Sequence, residues 1–269
     1  MCYSAMIQKD LEYLHKNYGA NYLVDEIESY ENFHQQDPKK FPRFSSRIYP
    51  GYYAPAIHMD PKGDRRSLKL MRYSTGLPSF MDQSSKNYTS FNARLDNLDS
   101  KFWSEAFLSI HGVLVIKSFF EWVTVKDLLS AGVVKIDQVK ADFEQQSAKR
   151  KAKLLAQGKV YKPTKTETMD ARFRKTMIQF KPAAIEQDLL VPVIISKFGD
   201  GDETQHGFAL ITDDPPKEIA AAGHDRCPII LKESAVDDWI SMGKKAKEYK
   251  DILNQRETVS FSHTLDKAA

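Results

Sequence analysis

The stretch Gly112-Val113-Leu114-Val115-Ile116-Lys117-Ser118-Phe119-Phe120-Glu121-Trp122 decides how the rest of the chain is read. Its β-branched and aromatic residues mark it as a buried strand. Further strands are expected at 52–58, 68–74, 176–180, 189–198, 207–212 and 228–231. Residues 9–36 read as helical, with Leu11, Leu14, Tyr18, Tyr22 and Ile27 near helical spacing and Gly19 as a break. A second helix is expected over 136–158, and Asp99 is expected to cap a short helix before Phe107. Pro215-Pro216 begin a short helix that ends near Gly223, and 234–242 and 244–253 close the chain as helices. Residues 37–51 and 159–172 read as loop and exposed connection. With strands in the middle and no regular βαβ alternation, the pattern predicts an α+β fold with a mainly antiparallel sheet or open barrel.

Apolar residues make up 42% and charged residues 28% of the 269, the balance of an ordinary globular chain with a sizeable core. No repeat or low-complexity linker divides it, so one domain is expected over 1–269, with insertions near 8–48 and 124–173. No apolar run approaches the roughly 20 residues that span a bilayer. The beginning, MCYSAMIQKDLEYLHK, turns polar at once, unlike a signal peptide. A cytoplasmic location without membrane partners is therefore expected. Two cysteines cannot build a disulfide framework, and the histidines show no metal-ligand spacing. Neither metal nor cofactor is expected. The net charge is +3, but ten Lys or Arg between Lys149 and Lys175 face only Glu167 and Asp170. That run reads either as a nucleic-acid footprint or as a solvated helix and loop.

Cys2 follows Met1 directly. Methionine removal before a residue this small leaves an α-amine and a thiol on adjacent carbons. An aldehyde condenses with such an amine to a Schiff base, and the thiol then closes a five-membered thiazolidine. The amine has a reference pKa of about 7.7–8.0 and the thiol about 8.5, so both are partly reactive near neutrality. Three other segments stand out: Phe91-Asn92-Ala93-Arg94, Phe119-Phe120-Glu121-Trp122 and His224-Asp225-Arg226-Cys227-Pro228. Each also admits a structural reading, with Asn92 in a turn, Glu121 at a strand end and His224 capping a helix.

In order and setting these segments resemble the SRAP family, the SOS response-associated peptidases that shield abasic DNA. Its members typically begin Met-Cys-Gly-Arg. They continue with an Ala-Pro-Gly turn, an Arg-Trp-Gly-Leu-Ile-Pro-like strand, Asn-Ala-Arg, Phe-Tyr-Glu-Trp and His-Asp/Asn-Arg-Met-Pro. The matching stretches here are Met1–Ser4, Tyr49-Pro50-Gly51, Met71–Pro78, Asn92-Ala93-Arg94, Phe119–Trp122 and His224–Pro228. The resemblance implies an enzyme with lyase-like Schiff-base chemistry, monomeric, acting on single-stranded DNA that contains abasic sites. A nucleoid location when DNA is bound follows from that. Cys2 would be the nucleophile, Asn92 would hold the cysteine end of the adduct, Glu121 would move protons at the α-amine, and His224 would open the sugar ring. Arg94, Arg226 and Arg72 would contact DNA, Phe80 and Met81 would stack on bases, and Thr212 would line the pocket. Glu121, between Phe120 and Trp122, is expected to be desolvated with a raised pKa. The family name leaves an alternative, a cysteine peptidase or amidase using Cys2 and His224. Tyr3-Ser4 replace the family's Gly-Arg, and Cys227 replaces a methionine and reads as a small buried residue.

Overall fold

The computed structural model describes residues 3–39, 41, 45–60, 62–82, 90–184, 186–198 and 205–266. It begins with a strand, β1 (Ser4–Ile7), and two helices, α1 (Leu11–Tyr18) and α2 (Val24–Gln36). Two caps cut out α1: the Asp10 carboxylate accepts from the Tyr13 amide at 3.1 Å, and Gly19 turns left-handed at φ 63°. Strands β2 (Arg47–Ile48), β3 (Tyr53–Met59), β4 (Arg66–Tyr73) and β5 (Asn92–Arg94) follow, then the short helix α3 (Ser104–Phe107) and the long strand β6 (Ile110–Thr124). Helices α4 (Val125–Ser130), α5 (Ile136–Ala156) and α6 (Lys165–Thr168) lead to β7 (Lys175–Pro182), β8 (Leu189–Phe198) and β9 (Gln205–Asp213). The chain closes with α7 (Lys217–Ala221), β10 (Cys227–Pro228), α8 (Val236–Ile240), α9 (Ala246–Leu253) and β11 (Phe261–Leu265).

Five strands form a closed ring in the order β3-β4-β9-β8-β6, back to β3. Only the β4–β9 contact in that ring is parallel. The fold is thus α+β with mainly antiparallel pairing, and the barrel expected as open is closed. Leu114, Met71, Phe208, Val193 and Ala56 fill its interior together. A second core, with Val113, Ile57, Ile194, Trp239 and Tyr249, lies where the ring's outer face meets the helices.

β6 serves two neighbourhoods in succession. Ile110–Ile116 pair with β8, whereas Phe119–Thr124 pair with β7. On its other edge β1 pairs Ile7 with Ile116 but Met6 with Ser118, so Lys117 is the extra residue of a bulge. The bulge changes which residues face inward. Leu114 and Ile116 face the interior core before it, Phe119 and Val123 after it.

Several expectations are corrected. Asp99 does not cap the short helix, which starts at Ser104; its carboxylate pairs with Lys250. The strand expected over 228–231 is reduced to Cys227–Pro228, because Leu231 instead bridges to Arg256. The connection at 159–172 contains α6, fixed by a capping box between Thr164 and Glu167.

Gly112 stands where β6 is enclosed by β3 and β8. A Cβ there would lie 2.7 Å from the Ile57 carbonyl and 2.9 Å from Ile195 Cδ1. A narrow five-stranded interior offers no room for relief. Gly112→Ala is expected to cost about 1–3 kcal/mol, read as a lower urea midpoint at unchanged m-value.

Candidate active site

Glu121 is carried inward by the reading frame that the bulge imposes. Alternation puts Phe119 and Val123 on its face of β6, and both are fully packed in the interior core. The neighbours expected to desolvate it, Phe120 and Trp122, belong to the opposite face. Trp122 is 38% exposed, whereas Glu121 is 1% exposed. Burial pushes the Glu121 carboxyl above its usual 4.5, outweighing the opposing pull of the His224 imidazole.

His224 reaches this carboxyl from the turn after α7. Gly223 makes that turn at φ 84°, and a Cβ there would collide with the Asp127 side chain. The imidazole Nε2 lies 3.1 Å from Glu121 Oε2, and Nδ1 lies 2.9 Å from the Arg226 carbonyl. The Arg226 amide lies 3.3 Å from the same Nδ1, so the tautomer decides whether Nδ1 donates to the carbonyl or accepts from the amide. A proton must lie between Nε2 and Oε2 for those atoms to bond. Cys227 is buried next to this pair, and burial followed by the Glu121 charge drives its thiol pKa up, so it is not a ready nucleophile.

Asn92 sits on β5, beside Leu210 of β9. The Tyr73 hydroxyl donates to its Oδ1 at 3.4 Å, and Tyr73 is itself held by stacking on Phe208, with centroids 5.3 Å apart. That orients the amide so that its N–H donors lie at the opposite end. Thr212 is fully buried, and its hydroxyl has no hydrogen-bond partner among the described residues.

The N-terminal strand runs alongside. The Tyr3 amide donates to the Phe120 carbonyl at 3.1 Å, and Ser4 and Ala5 face Phe120 and Phe119. Cys2 lies outside the described residues. Arg47, from the segment read as loop, crosses this strand. Its guanidinium stacks 3.6 Å above the Phe120 ring, donates to Ser4 Oγ at 3.3 Å and pairs with Asp266 at 2.7 Å. Sequence reasoning missed it, because nothing in a Pro- and Ser-rich stretch marks one arginine above the others.

The other residues singled out from sequence are more dispersed. Arg94 is forked between Asp96 and Asp214, each at 3.0 Å, and Arg226 lies 3.8 Å from Asp225. Arg72 is exposed on β4. Phe80 is 52% exposed with the Lys101 ammonium 4.3 Å over its ring, and Met81 closes a turn onto the Pro78 carbonyl. Among the described residues no cluster of His, Cys, Asp and Glu suits a metal ion, and no helix is long and apolar enough to cross a membrane.

The family described as SOS response associated peptidase (SRAP) matches residues 1–265. The chain belongs to the SRAP family. Membership associates it with the SOS response and with DNA. No curated protein matches this chain. A crystallised protein from Bacteroides thetaiotaomicron superposes with a TM-score of 0.59 at 13% identity, over 98% of this chain and 91% of that one. A phage-related protein from Bordetella bronchiseptica gives 0.52 at 14% identity, over 88% and 90%. At such identities the likeness is one of fold, and it spans the SRAP chain nearly end to end.

The buried Glu121 carboxyl leaves a signature in stability. A folded acid with a raised pKa keeps a proton that the unfolded chain releases. Stability contributed here is present at low pH and declines as pH rises above the ordinary Glu value of about 4.3. Glu121→Gln is expected to raise the thermal midpoint at pH 7, with the gain vanishing below about pH 4. Identical melting curves at pH 7 would contradict this account of the carboxyl.

Proposed function

We propose that this SRAP protein links Cys2 covalently to the ring-opened aldehyde of abasic sites in single-stranded DNA and shields the lesion. The observation that carries the reading is the buried Glu121–His224 pair beside β1, the strand that begins at Ser4. Cys2 directly precedes Tyr3 in sequence, and the Tyr3 amide donates to the carbonyl of Phe120, the residue preceding Glu121.

After loss of Met1, the α-amine attacks the sugar aldehyde to give a carbinolamine. The carbinolamine loses water to form the Schiff base. The thiol sulfur then adds to the imine carbon, and its proton ends on nitrogen, closing the thiazolidine without oxidant or reductant. The amine must shed a proton before attack, and the carbinolamine must gain one to release water. Glu121, raised towards neutrality, serves both transfers. His224 supplies the proton balance at the sugar oxygen, opening the closed ring to its minor aldehyde form. Asn92, held through Tyr73, donates to the cysteine end of the adduct, and the unpartnered Thr212 hydroxyl is available to the sugar. Arg72, Arg94 and Arg226 contact phosphates, with Arg94 exchanging one of its carboxylate partners for DNA. Phe80 and Met81 stack on exposed bases.

Incubating the protein with an abasic single-stranded oligonucleotide is expected to give a heat-stable shifted band, with one water lost in its intact mass. Cys2→Ala is expected to abolish the band. His224→Ala is expected to slow its appearance by about 10²-fold or more. A band of undiminished yield from Cys2→Ala would overturn the assignment. Steady turnover of peptides dependent on Cys2 and His224, without a DNA adduct, would favour the peptidase reading instead.

A further inference from the structure

Two features stand apart from this chemistry: the Tyr3 side chain, where relatives have glycine, and the basic insertion ending at Lys175. Both meet at Trp122. The Tyr3 and Trp122 rings lie 6.0 Å apart, nearly edge to face, and are 37% and 38% exposed. Tyr49 extends the group, 5.9 Å from Tyr3. Exposed large rings next to a reacting residue are expensive to leave in water and invite a partner.

On its other side Trp122 lines a groove of about 270 Å³ between β7, α5 and α6. Arg150, Arg174 and Lys175 also line it. Strand register fixes this adjacency, with Trp122 opposite Met177 and Thr124 opposite Lys175. The Arg174 guanidinium stacks 4.7 Å over Phe143 and donates to the carbonyls of Met169 and Glu167. Those contacts fix its position and leave its charge uncancelled. Arg150 is paired with Glu167 at 2.6 Å. The groove itself thus carries three cations against the one carboxylate of Glu167, and the segment 149–175 that borders it has ten cations against two acids.

We propose that Tyr3, Trp122 and this groove form a path for the single-stranded DNA that flanks the residue held at Cys2. A base stacks on Tyr3 and Trp122, and the next phosphates run along Lys175 and Arg174. Unpaired DNA fits because it alternates flat apolar rings with negative charge, as this surface alternates exposed rings with cations. A duplex keeps its bases stacked on one another and offers no face to Trp122. The placement of the lesion rests on the proposed chemistry of Cys2, whereas the path itself binds undamaged DNA without a covalent step.

An undamaged single-stranded oligonucleotide separates the two. The chain has three tryptophans, and Trp103 and Trp239 are 5% and 0% exposed. Quenching of intrinsic fluorescence on titration therefore reads Trp122. Trp122→Ala is expected to abolish the quenching and weaken binding, by anisotropy, about tenfold. Lys175→Glu, a substitution on an exposed side chain, is expected to weaken binding and flatten its salt dependence, while quenching persists at saturation. With either variant, adduct yield from abasic DNA at saturating concentration should stay near that of the parent protein. Absence of quenching in the parent protein, or binding by both variants within twofold of it, overturns the path. Loss of the adduct alongside intact quenching overturns the Cys2 chemistry and leaves the path standing.

Discussion

The structure depends on a single constraint: one strand, β6, must close the barrel and also deliver a carboxyl to its interior. Its first half is fixed between β3 and β8 as part of the ring, and its second half between β1 and β7. A regular strand would hold one alternation throughout and send Glu121 to the face opposite the interior core. The bulge at Lys117 breaks that alternation. Its ammonium is pinned to Asp188 at 2.6 Å, and the same carboxylate accepts from Tyr13 and Tyr18 of α1 at 2.8 and 2.7 Å. One buried acid thus ties the bulge and the first insertion to the start of β8. Helix α1 is thus part of the frame that holds the bulge and aims Glu121.

What is aimed there is costly to keep. A carboxyl at 1% exposure sacrifices hydration that one imidazole at 3.1 Å does not restore. The contact with the imidazole offsets part of that cost, and burial still leaves the carboxyl pKa raised. Under the proposed reading, a carboxyl with a raised pKa suits a stepwise condensation, in which each proton taken from an amine is returned to a departing oxygen. Rigidity around the pair serves the same end. Gly223 fits His224 into its turn against Asp127, and the Arg226 backbone holds the imidazole Nδ1 in place.

Much of this was legible in sequence where local chemistry dominates. The long apolar run is unambiguous as a strand, Gly19 ends a helix because it alone is at ease at positive φ, and Pro216 opens another. The carriers of Asn92, Glu121 and His224 stood out as tripeptides in a family order. What escaped was set by distant partners. β1, β2, β5 and β11 are short strands whose pairing depends on an already formed neighbour, not on their own propensity. The environment of Glu121 was misread for the same reason. Sequence neighbours suggest Phe120 and Trp122, but alternation turns both away, and Phe119 and Val123 do the burying. Arg47 was invisible because its importance comes from landing on Phe120 and Ser4, far away along the chain.

Arg47 also explains how the chain tolerates Tyr3-Ser4 at its N-terminal strand. Where relatives carry an arginine after the nucleophile, Ser4 is small, fully buried and hydrogen-bonded to the Arg47 guanidinium. That guanidinium belongs to the neighbouring strand β2, and Asp266, next to β11, pairs with it. An ion-paired, ring-stacked guanidinium is well suited to fixing a strand end but poorly suited to gripping a phosphate, since a phosphate would have to displace Asp266. Under the proposed reading, attraction for DNA then comes from another cationic surface. The positive excess of this chain lies along the second insertion, next to the tryptophan that Tyr3 touches. The two departures from the family pattern, a bulky residue beside the cysteine and a basic insertion, therefore make physical sense together more readily than either does alone.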